Sequence, residues 1–379
     1  MLLELTEDQQ SLRETTARYL SNTVPVGQLR KLRDHALGYE EDYWRQGAEL
    51  GWTSLLVPEE RGGGNVSGRA LVDATLLAHE FGRHAAPGPF VSCNLAAAAL
   101  GAEDPGHHGP VLADLLSGSA VAAWCFAEDH PHGHRPEGLT LEASIHGHEV
   151  VLDGVKRPVE SAAPASHLLV TARTGDGLTQ VLVPTAAAGV SLEPMHSVDL
   201  TRRFWVVRLE NVTLPVDAVV GEAGGADVQV EHQLRMALVL LAAESVGAME
   251  RAFEMTVEWA FDRYSFGRPL ASYQELKHRF ADMKTWLEAG HAVTDAAAAA
   301  VDAHGADAAE LVSAAAAFVG HFGAELLQDC VQIHGGIGLT FEHDLHVLLR
   351  RVTLNRTILG TPSLHRRRIA ALLAEREAR

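Results

Sequence analysis

Apolar positions recur at helical spacing from Thr6 to about Gly118, then at a period near two between about Ser119 and Glu222. They return to helical spacing from Val228 to the end. This rhythm predicts an α+β chain with a helical N-terminal domain over 1–118, a small β domain over 119–227 and a C-terminal helical bundle over 228–379. Thr6-Glu-Asp-Gln9 has the form of a capping box opening the first helix. Leu76 to Arg83 reads as another helix, stopped by Gly82 and by Pro87 and Pro89. Between these lies a short apolar run, Leu50 to Glu59, ended by the turn Arg61-Gly-Gly-Gly64. In the middle zone Ser144 to Leu152, His167 to Thr171, Thr179 to Val183 and Phe204 to Leu209 carry the strand pattern. The third zone is rich in alanine from Ala289 to Ala317. A run such as Thr294 to Asp302 also fits a low-complexity linker, but alanine has the highest helix propensity and the flanks are amphipathic, which favours the bundle.

Composition narrows the function classes. A chain of 379 residues with 47% hydrophobic content has material for two or three domains and a sizeable core. It carries 49 Asp and Glu against 31 Lys and Arg, a net charge of -18, which argues against a nucleic-acid partner because phosphate backbones bind basic surfaces. The three cysteines, Cys93, Cys125 and Cys330, are widely spaced, so neither a disulfide framework nor a structural zinc motif is expected and a reducing cytoplasm fits. The N-terminus lacks a basic leader pattern, and no apolar run approaches the roughly eighteen residues of a membrane span. The expectation is a cytoplasmic protein without membrane insertion.

Two segments carry chemistry. Arg263-Tyr-Ser-Phe-Gly-Arg-Pro-Leu-Ala-Ser-Tyr-Gln274 reads as a helix end, a glycine turn and a new helix. Gln332-Ile-His-Gly-Gly-Ile-Gly338 reads as a helix end capped by a glycine pair. Taken singly, each is compatible with a helix-terminating turn beside a solvated side chain, because neither follows a strand as a dinucleotide fingerprint must. Together, and in this order of zones, they resemble the acyl-CoA dehydrogenase family over nearly the whole chain, which implies that the middle domain is a small β-barrel and the last a four-helix bundle. Leu50-Gly-Trp52 with Pro58-Glu59, Glu80-Phe-Gly-Arg83, and Phe280-Ala-Asp-Met283 strengthen the match.

The resemblance implies an FAD-dependent α,β-desaturation of an acyl-CoA thioester, in which both segments reach FAD across a subunit boundary. Arg263 is then a guanidinium donor to the pyrophosphate. Ser265 adds a hydroxyl, Phe266 a flat face, Gly267 the turn, and Gln274 is a further carry-over. Gln332, Gly335 and Gly336 approach the adenosine half. The backbone at Phe126 and Ala127, within Trp124-Cys-Phe-Ala-Glu-Asp129, matches the isoalloxazine edge, although a family threonine is replaced by Ala127. The family's Trp-Ile-Thr-like segment beside the ring corresponds to Lys156-Arg-Pro-Val-Glu160, without aromatic or threonine.

The catalytic glutamate of the family corresponds to Leu359 in Ile358-Leu359-Gly360-Thr361. Leucine cannot remove a proton, and a positioned general base contributes about 10²- to 10⁴-fold. The alternative family position falls at about Ala237, also apolar. Glu244 in Leu241-Ala-Ala-Glu-Ser-Val-Gly247 is a weak candidate for a relocated base, while Glu250 and Glu254 fit packing or ion-pair roles. His130-Pro-His-Gly-His134 places three imidazoles in five residues and reads chiefly as a solvated loop, with metal or substrate contact as the alternatives. His334 fits a helix-end or cofactor contact, and His365-Arg-Arg-Arg368 a solvated face or a CoA-phosphate contact. The missing base leaves three readings open. The chain is a complete enzyme with a moved base, a companion subunit completing a glutamate-bearing partner as in heterotetrameric enzymes of bacterial steroid side-chain degradation, or a repurposed relative. The resemblance further implies a homo- or hetero-oligomer built as a dimer of dimers, and an electron-transfer acceptor.

Overall fold

The computed structural model describes residues 4–102, 106–130, 132–175 and 177–378. Helices α1 (Glu7–Thr23), α2 (Val26–Leu29), α3 (Glu41–Glu49), α4 (Ala70–Arg83), α5 (Phe90–Gly101) and α6 (Gly109–Leu116) form the first layer. The Thr6 hydroxyl accepts from the Gln9 amide and the Gln9 side chain answers to the Thr6 amide, closing the capping box at α1. An aromatic cluster fixes how these helices meet. Trp52 is fully buried among Tyr19, Tyr43, Trp44 and Phe81, and a Cβ at Gly47 would collide with its ring at 2.0 Å.

Strands β1 (Ala122–Cys125), β2 (Glu142–His146), β3 (Glu149–Glu160), β4 (His167–Thr174), β5 (Gly177–Pro184), β6 (Val190–Met195), β7 (Phe204–Pro215) and β8 (Val219–Val220) form one sheet. Its order is β6-β7-β3-β2-β4-β5-β8, with β1 pairing parallel to β4. No ladder joins β8 to β6 among the described residues, so the expected barrel is an open one. The stretch Ser144 to Leu152 is a hairpin, β2 turning into β3 at Gly147, whose φ of +63° suits glycine. β3 then continues to Glu160, beyond the alternating pattern, because it runs under the helical layer.

Helix α7 (Asp227–Asp262) spans about 54 Å. After the short hairpin β9 (Tyr264–Ser265) and β10 (Arg268–Pro269) come α8 (Gln274–Asp302), α9 (Ala308–His334), α10 (Leu345–Asn355) and α11 (Pro362–Glu377). α7, α8, α9 and α11 pack as the bundle, with α10 wedged between α9 and α7. α4 lies against α7 with almost no space between backbones. A Cβ at Gly82 would sit 1.8 Å from the Glu244 carbonyl oxygen, and one at Gly247 would sit 2.0 Å from that of His79. The segment Ala308–Leu339 is long and apolar enough by composition to cross a membrane, which corrects the expectation that no run approaches that length. More than half of its most apolar stretch is buried, and α9 packs on α7, α8, α10 and α11 as a core helix does.

Candidate functional site

The two segments singled out by sequence meet at one end of the bundle. Trp259, near the C-terminus of α7, stacks on His334 at the end of α9, with ring centroids 5.3 Å apart and planes 16° apart. Arg263 caps α7 and its guanidinium lies 6.0 Å from the Trp259 ring centroid. The expected glycine turn is the tip of the β9–β10 hairpin, where Phe266 (φ +50°) and Gly267 (φ +79°) adopt the left-handed geometry of a two-residue loop. A left-handed phenylalanine is a strained choice, and its side chain is 98% exposed. Tyr273 holds the hairpin by donating to the Ser265 carbonyl at 2.8 Å, while Arg268 lies over the Tyr273 ring at 3.8 Å. Ser265 is half-buried, and Gln274 is exposed as the first residue of α8.

On the other segment Gln332, Gly335 and Gly336 are exposed. Gly335 breaks α9 at φ +67°, and neither Gly335 nor Gly336 has any atom within 4 Å of where a Cβ would stand. Gly338 is the packing glycine of the group, since a Cβ there would meet the Val331 carbonyl at 2.8 Å. His334 is buried, with Nδ1 2.8 Å from the Cys330 carbonyl oxygen, so its ring supports the helix end. Around these residues Phe261, Tyr264, Phe266, Ile337, Leu339 and Phe341 are all exposed apolar side chains.

The ring-side residues lie in a different setting. Phe126, Ala127, Trp124, Leu241, Leu359 and the Glu160–Arg202 pair line a cavity of 40 Å³. Ligand clefts hold roughly 300–1,000 Å³, so the space these side chains leave is small beside a cofactor-sized cleft. Trp124 and Phe126 fill it from one side, stacked 4.8 Å apart with planes 3° apart. The Phe126 carbonyl accepts from Lys156 Nζ at 3.1 Å and the Ala127 carbonyl from the Arg157 amide at 2.9 Å. Lys156 itself is fully buried and pairs with Glu128 at 2.7 Å. Burial opposes the Glu128 charge, but Lys156, the Thr140 hydroxyl and the Leu141 amide outweigh it and bring the carboxyl down to about 2.

Arg202 closes the other side. Its Nε and Nη2 donate to the two Glu160 oxygens at 2.5 and 2.6 Å, and Nη1 donates to Asn355 at 2.8 Å. Behind it Arg351, with no exposed surface, donates to Asp199 at 2.5 Å, to Glu244 at 2.6 Å and to the Ala85 and Ala86 carbonyls. Two guanidiniums and three carboxylates thus join the sheet, the bundle and the N-terminal helices in one buried lattice.

Glu244, the weak candidate for a relocated base, stands within this lattice. Its carboxylate is held by Arg351 and by Asn355 Nδ2 at 2.8 Å, with Arg202 Nη1 at 3.5 Å, and it does not line the ring-side cavity. Ala237 is fully buried in α7, and Glu250 and Glu254 both pair with Arg83. Leu359 is 7% exposed and packs on the apolar wall formed with Ile358 and Leu241. Pro131 of the histidine loop lies outside the described residues. Of its three imidazoles, His130 sits 3.3 Å from Glu128, and His134 reaches Gly360 beside His365. His365 is buried, and burial together with the Arg368 charge pushes it down to about 4. Arg368 pairs with Glu231.

Sequence reasoning missed Arg202, Arg351 and Asp199. The one local signal was the doublets Arg202-Arg203 and Arg350-Arg351, each joining an exposed or half-buried arginine to a buried one.

The chain belongs to the acyl-CoA dehydrogenase family. Residues 6–104 match the model of the acyl-CoA dehydrogenase N-terminal domain and residues 224–374 that of the C-terminal domain. Among individual proteins it is similar to the acyl-CoA dehydrogenase IpdE2 of Mycobacterium tuberculosis, 31% identical over 94% of each chain. Among solved structures it is similar to a Tcur3481-Tcur3483 steroid ACAD variant, with TM-score 0.88 and 26% identity over 98% of this chain and 99% of that one. It is also similar to a chain of the ChsE4-ChsE5 complex from Mycobacterium tuberculosis, with TM-score 0.87 and 25% identity over 99% of each.

Proposed function

We propose that this chain is the companion subunit of a two-component, FAD-dependent acyl-CoA dehydrogenase that desaturates a steroid-derived acyl-CoA between Cα and Cβ. Its partner carries the catalytic glutamate and seats the flavin ring, and FAD, when bound, would supply the hydride acceptor for Cβ and the link to an electron-transfer acceptor. The contrast between a filled ring-side cleft and exposed phosphate-binding segments supports this reading. Arg263 and Ser265 would meet the pyrophosphate of a flavin seated on the partner, and the open backbone at Gly335 and Gly336 would admit its adenosine half. Leu359 leaves this chain no carboxylate at the position of the base, and its own residues serve binding and orientation. The exposed ring of apolar side chains from Phe261 to Phe341 supports burial against a second subunit in a dimer of dimers. The steroid class is carried over from the similar Tcur3481-Tcur3483 steroid ACAD.

The test is flavin content and mass. The chain is purified alone and co-produced with a glutamate-bearing acyl-CoA dehydrogenase subunit, and absorbance is read with light scattering. The expected result is no stoichiometric flavin on the chain alone, and a heteromer with about one FAD per pair whose flavin is bleached anaerobically by acyl-CoA. One FAD per chain in a homotetramer, bleached by substrate, overturns it.

A further inference from the structure

The crossing of α4, α7 and α8 brings together three ligand-bearing side chains that the dehydrogenase reading does not use. The close backbone approaches of Gly82 to Glu244 and of Gly247 to His79 bring α4 and α7 together, with His79 and Glu250 each three residues from one of these glycines. His291 faces them from α8. His79 Nε2 lies 3.0 Å from Glu250 Oε2, His291 Nε2 lies 4.0 Å from Glu250 Oε1, and the two imidazole rings are 5.5 Å apart. One ligand atom from each residue falls within 4.8 Å of the other two. His79 is 7% exposed and His291 4%. Both ring nitrogens of His79 are buried without a hydrogen bond, because the 3.0 Å approach to Glu250 is not aligned for one.

We infer that His79, Glu250 and His291 form a binding site for a divalent transition-metal ion of the zinc class. Two imidazoles and a carboxylate are a zinc donor set, and ligand atoms on a tetrahedral zinc stand about 3.3 Å apart. Side-chain shifts of about 1 Å therefore close the shell. An outer layer is in place. Glu80 Oε1 is 3.6 Å from His79 Nδ1, where a carboxylate orients a ligating imidazole. Arg83 holds Glu250 Oε2 at 2.8 Å and leaves Oε1 turned toward His291, while Glu254 at 2.8 Å offsets the Arg83 charge. The Glu250 side chain is 28% exposed, which gives an ion a route in and leaves a fourth position for water. The site ties three long helices together and is independent of flavin and of partner.

The experiment uses the full chain, equilibrated with zinc and freed of excess by gel filtration, with metal counted by mass spectrometry. Because the chain has 21 histidines, the comparison with variants carries the result. Wild type should retain about one zinc per chain, and cobalt in its place should give the intense visible bands of a tetrahedral site. His291→Ala and Glu250→Gln should bind at least about tenfold more weakly, whereas His304→Ala, on the distant His232–His304 pair, should match wild type. Circular dichroism checks that each variant is folded, and Glu250→Gln decides if His291→Ala is not. No retained zinc, zinc retained equally by all variants, or cobalt without tetrahedral bands overturns the site.

Discussion

The ring-side cleft and the bundle-end segments were both expected to meet one cofactor, yet one is narrow and walled by its own side chains and the other is open. The cleft is closed by side chains whose charges satisfy each other, so Arg202, Glu160, Arg351, Asp199 and Glu244 need nothing from outside the chain. The segments keep an exposed arginine, a strained phenylalanine and bare glycine backbone, with apolar neighbours facing solvent. On the companion-subunit proposal, the difference between them separates what this chain holds for itself from what it would offer to another molecule.

The largest effect expected is on the closed region. Arg351→Met leaves Asp199 and Glu244 buried opposite an uncharged side chain, and breaking such a pair costs about 3–5 kcal/mol. Urea unfolding followed by circular dichroism should show this as a lower midpoint. A loss below 1 kcal/mol would mean that the lattice does not hold the cleft shut.

Next in size is the pH dependence of the Glu128–Lys156 pair beneath Phe126. The Glu128 carboxyl is lower in the folded chain, at about 2, than in the unfolded one, so the folded state favours its ionised form. Its contribution is complete above the ordinary carboxylate range and disappears as pH falls from about 5 toward 2. The size is on the order of 2–3 kcal/mol. The difference in unfolding free energy between wild type and Glu128→Gln should shrink over that window. A constant difference would remove the pair from the forces that close the cleft.

Much of this comparison was legible before any coordinates, and the part that was not has a physical cause. The zone boundaries came from the switch in hydrophobic period, and the capping box at Thr6 from four adjacent residues, because such signals are local. The Arg263 and Gln332 segments were visible for the same reason. The charge lattice was not, since Arg202 meets Glu160 and Glu244 across 42 residues in either direction, and Arg351 meets Asp199 across 152. The doublets Arg202-Arg203 and Arg350-Arg351 mark the places but do not state which arginine of each is buried. The Ser144 to Leu152 run concealed a hairpin because Gly147 sits inside an otherwise strand-like stretch. Glu244 looked available as a base because sequence shows an acid in an apolar helix without showing the arginine opposite.

Leu359 gives the sharper probe of the cleft. Leu359→Glu supplies a carboxyl at the position where the resemblance expects a glutamate, but places it against Leu241, Ile358 and Phe126 in a narrow apolar space. Burying an unpaired polar group there should cost about 1–3 kcal/mol. Desaturation of acyl-CoA by the chain alone should stay at zero. Flavin bleaching gained by this single change would show that the cleft opens on its own and that the contrast between the two regions is smaller than it looks.

The smallest effect on the fold, and the one most specific to the open region, belongs to Arg263. Its guanidinium is exposed at a helix end, makes no ion pair among the described residues and lies 6.0 Å from the Trp259 ring centroid. Arg263→Ala should therefore change the unfolding free energy of the chain by no more than about 0.5 kcal/mol. In the heteromer the same change removes a charge-assisted bond to phosphate, worth about 1.5–3 kcal/mol, and flavin retention should fall by a factor of about ten to a hundred. Arg263→Lys should recover only part of that loss, because an ammonium keeps the charge but not the planar fork. The separation of the two readouts is the decisive point. A stability loss comparable to that of Arg351→Met would make Arg263 part of the chain's own framework. An unchanged fold with weakened flavin would mark it as a group held ready for a neighbour.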